Sequence, residues 1–467
     1  MIEELKRLRD RRPLRDINDW GIVDIEALTM SLRSRLVTEL SYALTTFTLL
    51  STMKGPTPGS GFPIYQCPDL LDEVLDLLED EAFRDGTASE SGLSDEFCVA
   101  THRELVNIIY EEGSQPFASL ERSQGLNNPG DGPRQRGGNY VLAVTNIIRN
   151  LSTITDNVAY FAQHERLLDL MLRVCDASHD GPRPRAASAT LSLSDLVTVR
   201  KDALYTLNNV VNHVHLASHH IPSKTMRRIT RNVFALVSSY LIDPAERQSP
   251  VAYVQQNGHL PSGGRKPPSL ADTALEVFTR LSQTDANRQV FSHAVPQMAI
   301  WRLFEALVHR LPVQDSDFQV LTREPWLIYM ERIVMSIYSL AFLSPPELKR
   351  KIKTDRGLRF GKVMLRMVQK FLLNPSHDVR AFFAVCARRA IEAMKVVDDG
   401  EDSFDTSQAT TVPIMSFGMG YGEVGEGEKE KGTGMLGGYR ALTWDLLMMR
   451  ELDEVAWPEL ERLARVG

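Results

Sequence analysis

A nine-residue pattern of apolar residues recurs along this chain and constrains its fold more than any other feature. It reads Ala-Leu-x-x-Phe-x-x-Leu-Ser at both 43–51 and 274–282. Residues 139–155 carry an altered copy that ends Ile-Arg-Asn-Leu-Ser, with the 3.6-residue apolar period of a helix packed on a core. Looser copies begin at Ala203, Ile333 and Ala387. Such self-similarity predicts a helical solenoid, in which each unit buries its apolar face by stacking on its neighbours.

The predicted fold class is therefore all-α, an armadillo/HEAT-like helical-repeat solenoid with disordered loop insertions. We assign the armadillo-like repeats to residues 18–397, after a charged N-terminal lead-in at 1–17. An acidic, glycine-rich insertion at 398–437 is predicted to be disordered, and C-terminal capping helices are predicted at 438–467. Stretches rich in proline, glycine and polar residues predict loop insertions near 54–63, 113–138, 179–193 and 244–268.

Helix boundaries are predicted from capping residues and from the apolar period. Capping boxes are expected where Thr101 precedes Glu104 and where Ser269 precedes Asp272. One continuous helix is predicted over 159–174.

Composition places the chain among ordinary soluble proteins, with 43% hydrophobic and 24% charged residues. A net charge of −7 gives no case for a protein that coats nucleic acid. The N-terminal sequence lacks the apolar segment of a signal peptide, and the longest apolar run, of about ten residues, is too short to span a bilayer. These features predict that the protein resides in an intracellular, reducing compartment. Reduced thiols are expected, rather than disulfides or zinc ligands, at Cys67, Cys98, Cys175 and Cys386.

No sequence pattern predicts a catalytic residue, a cofactor site or a metal site. A Gly-x-Gly-x-x-Gly match at 420–425 lacks the flanking strand and helix that a dinucleotide site needs. His215 and His219 have the four-residue spacing of two ligands on one helix face, but the segment carries neither a cysteine nor a carboxylate. We interpret this segment, with its neighbours His213 and His220, as a helix end carrying polar side chains.

A run of cations at 347–362 is a candidate partner-binding site. Such a run can contact phosphates or an acidic partner, and it can equally form a solvated helix and turn. Its first members are Lys349, Arg350, Lys351 and Lys353. A second, weaker cluster comprises Arg227, Arg228 and Arg231.

Asn150 and Asn209 are candidate partner-binding residues of a different kind. Each precedes the last apolar residue of a repeat helix, where armadillo repeats place an asparagine that holds an extended peptide. Arg280 is the counterpart in another unit, and only two of six units keep the asparagine, so a continuous peptide-reading ladder is not expected. A local peptide contact and simple capping of loop backbone both stay open.

Taken in order, the repeat units resemble the C-terminal armadillo-like region of the ARID-bearing SWI/SNF subunits, the BAF/Osa type of animals and its fungal counterpart. The segments that carry the resemblance read VLAVTNIIRNLSTITDNVAYFAQHERLLDLML, KDALYTLNNVVN, ALEVFTRLSQTDANRQVF and ERIVMSIYSLAFLSPPELKRKI. The opening GIVDIEALTMSLRSRLVTELSYALTTFTLLS and the segment LLDEVLDLLEDEAF are also similar. The resemblance covers most of residues 18–397.

The resemblance implies a non-catalytic scaffold subunit of a nuclear, ATP-dependent chromatin remodeller that supports transcription regulation. Its implied partners are core remodeller subunits and the helical region ahead of the ATPase motor, with no membrane and no small-molecule substrate. In that family a separate ARID domain touches DNA, and no ARID-like block precedes residue 18, so nucleosomal DNA is expected to be reached only indirectly. The alternatives are the ARID-type subunit of the sister RSC/PBAF remodeller, a cytoplasmic armadillo/HEAT adaptor, and an enzyme with an unrecognised site.

Overall fold

The computed structural model is helical over nearly all the residues that it describes. These are 23–83, 97–116, 124–125, 136–178, 181, 183–217, 223–258, 266–373, 377–404, 435–436, 440–448, 460–461 and 463–464. They form nineteen α-helices and one antiparallel pair of two-residue strands. The prediction of an all-α helical-repeat fold is confirmed. The predicted lead-in at 1–17 and most of the predicted insertion at 398–437 lie outside the described residues.

The chain divides into two compact units, and unit 1 comprises Met1–Gly92 and Glu112–His213. Its repeat helices stack in sequence order, with the helix Gly137–Leu151 packed between Val37–Thr52 and Leu193–Val210. Its helices are α1 (Ile25–Ser34), α2 (Val37–Thr52), α3 (Pro68–Phe83), α5 (Gly137–Leu151), α6 (Thr155–Gln163), α7 (Glu165–Val174) and α8 (Leu193–Val210). Ile147, Ile148 and Leu151 of α5 are fully buried, as the apolar period predicts.

Unit 2 comprises Leu93–Glu111 and Val214–Gly467. It contains most of α4 (His102–Gly113), then α9 (Ser223–Ser239), α10 (Pro250–Asn257), α11 (Ser269–Leu281), α12 (Asp285–Ala294), α13 (Gln297–Val308), α14 (Asp315–Leu321), α15 (Glu324–Leu343), α16 (Pro346–Thr354), α17 (Phe360–Leu372), α18 (His377–Asp399) and α19 (Arg440–Leu447). Here α15 packs on α11 and on α18. By length and composition α15 is the one described helix that could cross a membrane, but 67% of its apolar 18-residue stretch is buried, as in the core helix of a soluble protein.

One predicted capping box is confirmed and the other is wrong. The Glu104 amide donates to Thr101 Oγ1 (3.1 Å), and the Thr101 amide donates back to Glu104 Oε2 (3.2 Å). At the second box the helix already begins at Ser269, with Pro268 as its N-cap. Asp272 instead accepts from Arg332 Nη1 at 2.6 Å, because α15 brings a guanidinium to this carboxylate.

The predicted continuous helix at 159–174 is two helices, because the backbone of His164 is extended. The Nδ1 atom of His164 accepts from the Leu167 amide at 3.3 Å and caps α7. An apolar period alone does not reveal such a break.

Two predicted loop insertions contain regular structure. The segment near 244–268 includes the helix α10, whose N-cap Ser249 accepts from the Ala252 amide (3.4 Å). The stretch near 179–193 includes β2 (Arg185–Ala186), which pairs with β1 (Ala177–Ser178). Proline and glycine content marked these stretches as loops, yet Pro250 is in the first turn of α10, where proline is tolerated.

Candidate functional site

The two candidate asparagines hydrogen-bond to serines of the preceding repeat helix. Asn150 Nδ2 donates to Ser51 Oγ (3.2 Å) and to Asn146 Oδ1 (3.2 Å). Asn209 Nδ2 donates to Ser152 Oγ at 2.9 Å. Ser51 and Ser152 are the last residues of their nine-residue patterns, so each bond joins one repeat to the next.

Unit 2 repeats this arrangement with a different pair of side chains. Ser282 ends its nine-residue pattern and donates to Ser339 Oγ at 2.9 Å. Ser339 occupies the position that Asn150 occupies in its own repeat. We call the six residues of these three bonds the repeat seam: Ser51, Asn150, Ser152, Asn209, Ser282 and Ser339. The structure thus gives both asparagines a role in stacking, and contact with a partner peptide stays a prediction.

Arg280 belongs to a cluster of ion pairs between α11 and α15. Its guanidinium pairs with Glu276 one turn earlier on the same helix. Glu276 also pairs with Arg332 Nη2 at 2.9 Å, and Arg332 in turn pairs with Asp272. Arg280 therefore already has an intramolecular acidic partner, and its predicted role in partner binding is untested.

The cations of α16 divide into an inward and an outward set. Lys349 is only 2% exposed, and its Nζ donates to the Glu401 carbonyl (2.6 Å) and to Ser403 Oγ (2.8 Å). Burial lowers the pKa of Lys349, although nearby acids oppose that shift. Lys353 Nζ pairs with Asp398 Oδ1 at 2.9 Å. Lys353 thus pairs with the end of α18, and Lys349 holds the residues that follow α18 against α16.

Arg350 and Lys351 form the outward set. Both are exposed, and Lys351 Nζ lies 4.0 Å from the centroid of the Trp301 ring, in a cation–π contact. Of the four predicted cations, these two are the ones that solvent reaches most freely. Their contact with a partner stays a prediction.

A pair of buried asparagines carries a structural role that the sequence analysis missed. Asn157 Nδ2 donates to the carbonyls of Phe62 (3.0 Å) and Leu151 (3.2 Å). Asn287 Nδ2 donates likewise to the carbonyls of Leu281 (3.0 Å) and Val214 (3.4 Å). Each ties the end of a repeat helix to a neighbouring loop.

A longer repeated pattern in the sequence would have identified this pair. Both asparagines stand in the pattern Leu-Ser-x-x-x-x-Asn-x-x-x-Phe, which runs over 151–161 and again over 281–291. The two phenylalanines, Phe161 and Phe291, are fully buried. The internal repeat therefore extends beyond nine residues.

Within the described residues, no group of three His, Cys, Asp or Glu side chains could hold a metal ion. His213 and His215 are described, whereas His219, His220 and the glycine match at 420–425 lie outside the described residues. All four cysteines are free thiols. Burial raises the pKa of Cys175 to about 12, which disfavours the thiolate that a nucleophilic role needs.

A small cleft lies in unit 2. It is lined by Phe97, Val99, Phe234, Ser238, Ile242, Ala299 and Arg302. Arg302 is the one titratable side chain of this lining, so the cleft does not bring together the acid and base that catalysis of proton transfer uses.

Exposed apolar side chains offer surfaces that suit partner helices. In unit 1, Met30 is 58% exposed and Val37 is 61% exposed. In unit 2, Phe382 and Val385 lie three residues apart on α18, so they share one helix face, and they are 41% and 59% exposed.

One comparison with known proteins finds a similar subunit of a chromatin-remodelling complex. The chain is 25% identical, over 231 residues, to the SWI/SNF chromatin-remodeling complex subunit sol1 of Schizosaccharomyces pombe. The matched part is 46% of this chain and 25% of that relative, so the chain spans about a quarter of the relative's length. No protein-family profile matches the chain.

Among solved structures, an engineered protein aligns with 95% of this chain and over 98% of its own length. The sequence identity is 12% and the TM-score is 0.22. A TM-score this low carries no argument about fold or function. The link to SWI/SNF subunits therefore depends on the sequence similarity.

Proposed function

We propose that this chain is a non-catalytic scaffold subunit of a SWI/SNF-type ATP-dependent chromatin-remodelling complex in the nucleus. It binds core subunits and the helical region ahead of the ATPase motor, and so supports transcription regulation. The observation that carries this proposal is the similarity of 231 residues to the SWI/SNF subunit sol1. The stacked helices of each unit fit the role, because they present long, rigid surfaces to partner helices.

Affinity purification of the tagged full chain from nuclear extract, with quantitative mass spectrometry, tests the proposal. We expect an SNF-type ATPase and remodeller core subunits in near-stoichiometric amounts. Deleting the helical region ahead of the ATPase motor should release the chain from that ATPase. A cytosolic partner set without an ATPase would instead favour the armadillo/HEAT adaptor.

Two surface variants make the test sharper, and each serves as the control for the other. M30D/V37D changes the exposed apolar pair of unit 1, and F382D/V385D changes the pair on α18. Circular dichroism would first establish that both variants keep the helical content of the wild type. If one of them alone loses the ATPase, that pair contributes to the interface.

A further inference from the structure

We propose that the corner between α16 and α17 binds the phosphate backbone of duplex DNA, without reading its sequence. We call this surface the basic corner and define it by five exposed cations: Arg350, Lys351, Arg356, Arg359 and Lys362. The proposal rests on the proposed function, which places the chain on chromatin. It goes beyond the expectation that DNA is reached only through other subunits.

The basic corner carries a concentrated positive charge in a chain whose net charge is −7. Between 346 and 363 the only acidic residues are Glu347 and Asp355. Asp355 Oδ1 is occupied by backbone, since it accepts from the amides of Gly357 and Leu358, both at 2.8 Å. The further acids near α16, Asp398, Asp399, Glu401 and Asp402, lie beside the inward lysines Lys349 and Lys353. Within the segment itself the five exposed cations outnumber the two carboxylates, so the corner attracts anions.

The corner is held in shape before any ligand binds. Leu358 and Phe360 are buried and anchor the turn, and the Arg359 amide donates to the Asp355 carbonyl at 3.2 Å. Arg359 has a φ of 48°, in the left-handed region, which is uncommon for a side chain other than glycine. The contact with Trp301 restrains Lys351. Such preorganisation reduces the conformational entropy lost on binding.

The spacing of the corner fits a single stretch of duplex. Phe360, the start of α17, is six positions after Thr354, the end of α16, so these points are at most roughly 20 Å apart. That is less than one turn of B-DNA, about 34 Å. The N-terminus of α17 has no side-chain cap, so its amide dipoles add positive potential next to Arg359 and Lys362.

The composition of the corner favours DNA over an acidic protein partner. Protein interfaces need apolar or aromatic anchors at their centre. Among the described residues, no large apolar side chain between 346 and 372 is strongly exposed. The segment 346–363 also lacks asparagine and glutamine, the side chains that pair with adenine edges. These features suit an ionic contact with phosphates that is independent of sequence.

Fluorescence anisotropy with the purified full chain and a labelled duplex of about 30 base pairs tests the proposal. We expect binding that weakens steeply from 50 to 200 mM salt, with a log–log slope of up to about −4.5 if five phosphates are neutralised. In R350E/R356E/K362E we expect at least about tenfold weaker binding at low salt and a slope smaller in magnitude by about 3. Arg359 is left unchanged because of its left-handed backbone.

The control variant K201E/K224E/K266E makes the same change in charge at exposed residues outside the corner and outside the weaker cluster at Arg227, Arg228 and Arg231. It should bind DNA within about twofold of the wild type near physiological salt, where distant charges are screened. Equal losses in both variants, or no loss in the corner variant, would overturn the proposal. The proposal would also be overturned if the wild type bound polyglutamate more tightly than DNA and the corner variant lost that binding. Because these measurements use the purified chain alone, their failure would leave co-purification with the ATPase unaffected.

Discussion

Units 1 and 2 use the same repeat position with different chemistry. The repeat seam of unit 1 joins asparagine to serine, at Asn150–Ser51 and Asn209–Ser152. In unit 2 it joins Ser282 to Ser339, and at the following step, between α15 and α18, the two corresponding residues are the buried alanines Ala341 and Ala393. In each of the three hydrogen-bonded steps, a polar side chain thus meets a polar partner. The reason is that a lone polar group in a packed contact loses its hydrogen bonds to water without replacement.

The buried asparagines Asn157 and Asn287 show a second difference between the units. Asn287 uses both ends of its amide, since Oδ1 also accepts from the Leu216 amide at 2.9 Å. The Oδ1 atom of Asn157 is buried and has no hydrogen-bond partner among the described residues. The unit 2 asparagine is therefore the better satisfied of the two, and its loss leaves more groups unpaired.

The largest expected effect comes from truncating these asparagines. We expect N287A to lower the free energy of unfolding by about 3 kcal/mol and N157A by about 2 kcal/mol, because each leaves buried backbone groups without partners. Chemical denaturation measures the loss, and hydrogen exchange assigns it to unit 2 or unit 1. N212A, at an exposed asparagine, is the control and should stay within about 0.5 kcal/mol. A larger cost for N157A than for N287A would contradict the comparison.

The next largest effect is expected at the seam of unit 2. S282A should cost about 1.5 kcal/mol, because it leaves the Ser339 hydroxyl without its donor. S339A should cost less, because Ser282 Oγ can still donate to the Thr279 carbonyl at 3.3 Å. The double variant S282A/S339A should cost no more than S282A alone, because it recreates the pair of alanines found at 341 and 393. A double-mutant cycle by denaturation measures this coupling. Simple additivity of the two costs would show that the hydroxyls do not depend on each other.

A smaller effect, on proteolysis and stability, is expected to distinguish the inward Lys349 from the outward Lys351 on α16. K349M removes the bonds to Glu401 and Ser403, so residues 398–404 should be cleaved several-fold faster in limited proteolysis, with a stability loss of about 1 kcal/mol. K351M changes an exposed lysine of the same helix and is the matched control. Equal protection of this segment in both variants would mean that Lys349 does not hold it.

The smallest effect is a pH dependence in unit 1. Desolvation lowers the pKa of His164, and Asp72, 3.7 Å from its Nε2, opposes this shift. Because the folded-state pKa lies below the unfolded value of about 6.5, the stabilisation is complete above that pH and is lost as the pH falls through the folded-state pKa. Protonation also removes the Nδ1 acceptor that caps α7.

The variant H164N keeps a capping acceptor without a titrating ring. We expect its melting temperature to fall less than that of the wild type between pH 7.5 and pH 5.5. Thermal denaturation across that range provides the measurement. Parallel pH profiles for the two proteins would exclude a contribution from His164.

Local patterns in the sequence were enough to determine the helical class, the repeat helices and the Thr101–Glu104 capping box. Each depends on residues within a few positions of one another, because the 3.6-residue period and the cap geometry are properties of one helix. The patterns Asn-Leu-Ser and Leu-Ser-x-x-x-x-Asn can also be recognised in the sequence. The residues to which their side chains hydrogen-bond cannot.

Only the tertiary structure decided which groups those residues meet. Asn150 and Ser51 are 99 positions apart, and Lys349 and Glu401 are 52 apart, so no local pattern pairs them. The sequence likewise presented Lys349 and Lys351 as equivalent cations. Packing against α18 buried the first and left the second exposed, because residues two apart on a helix point in different directions.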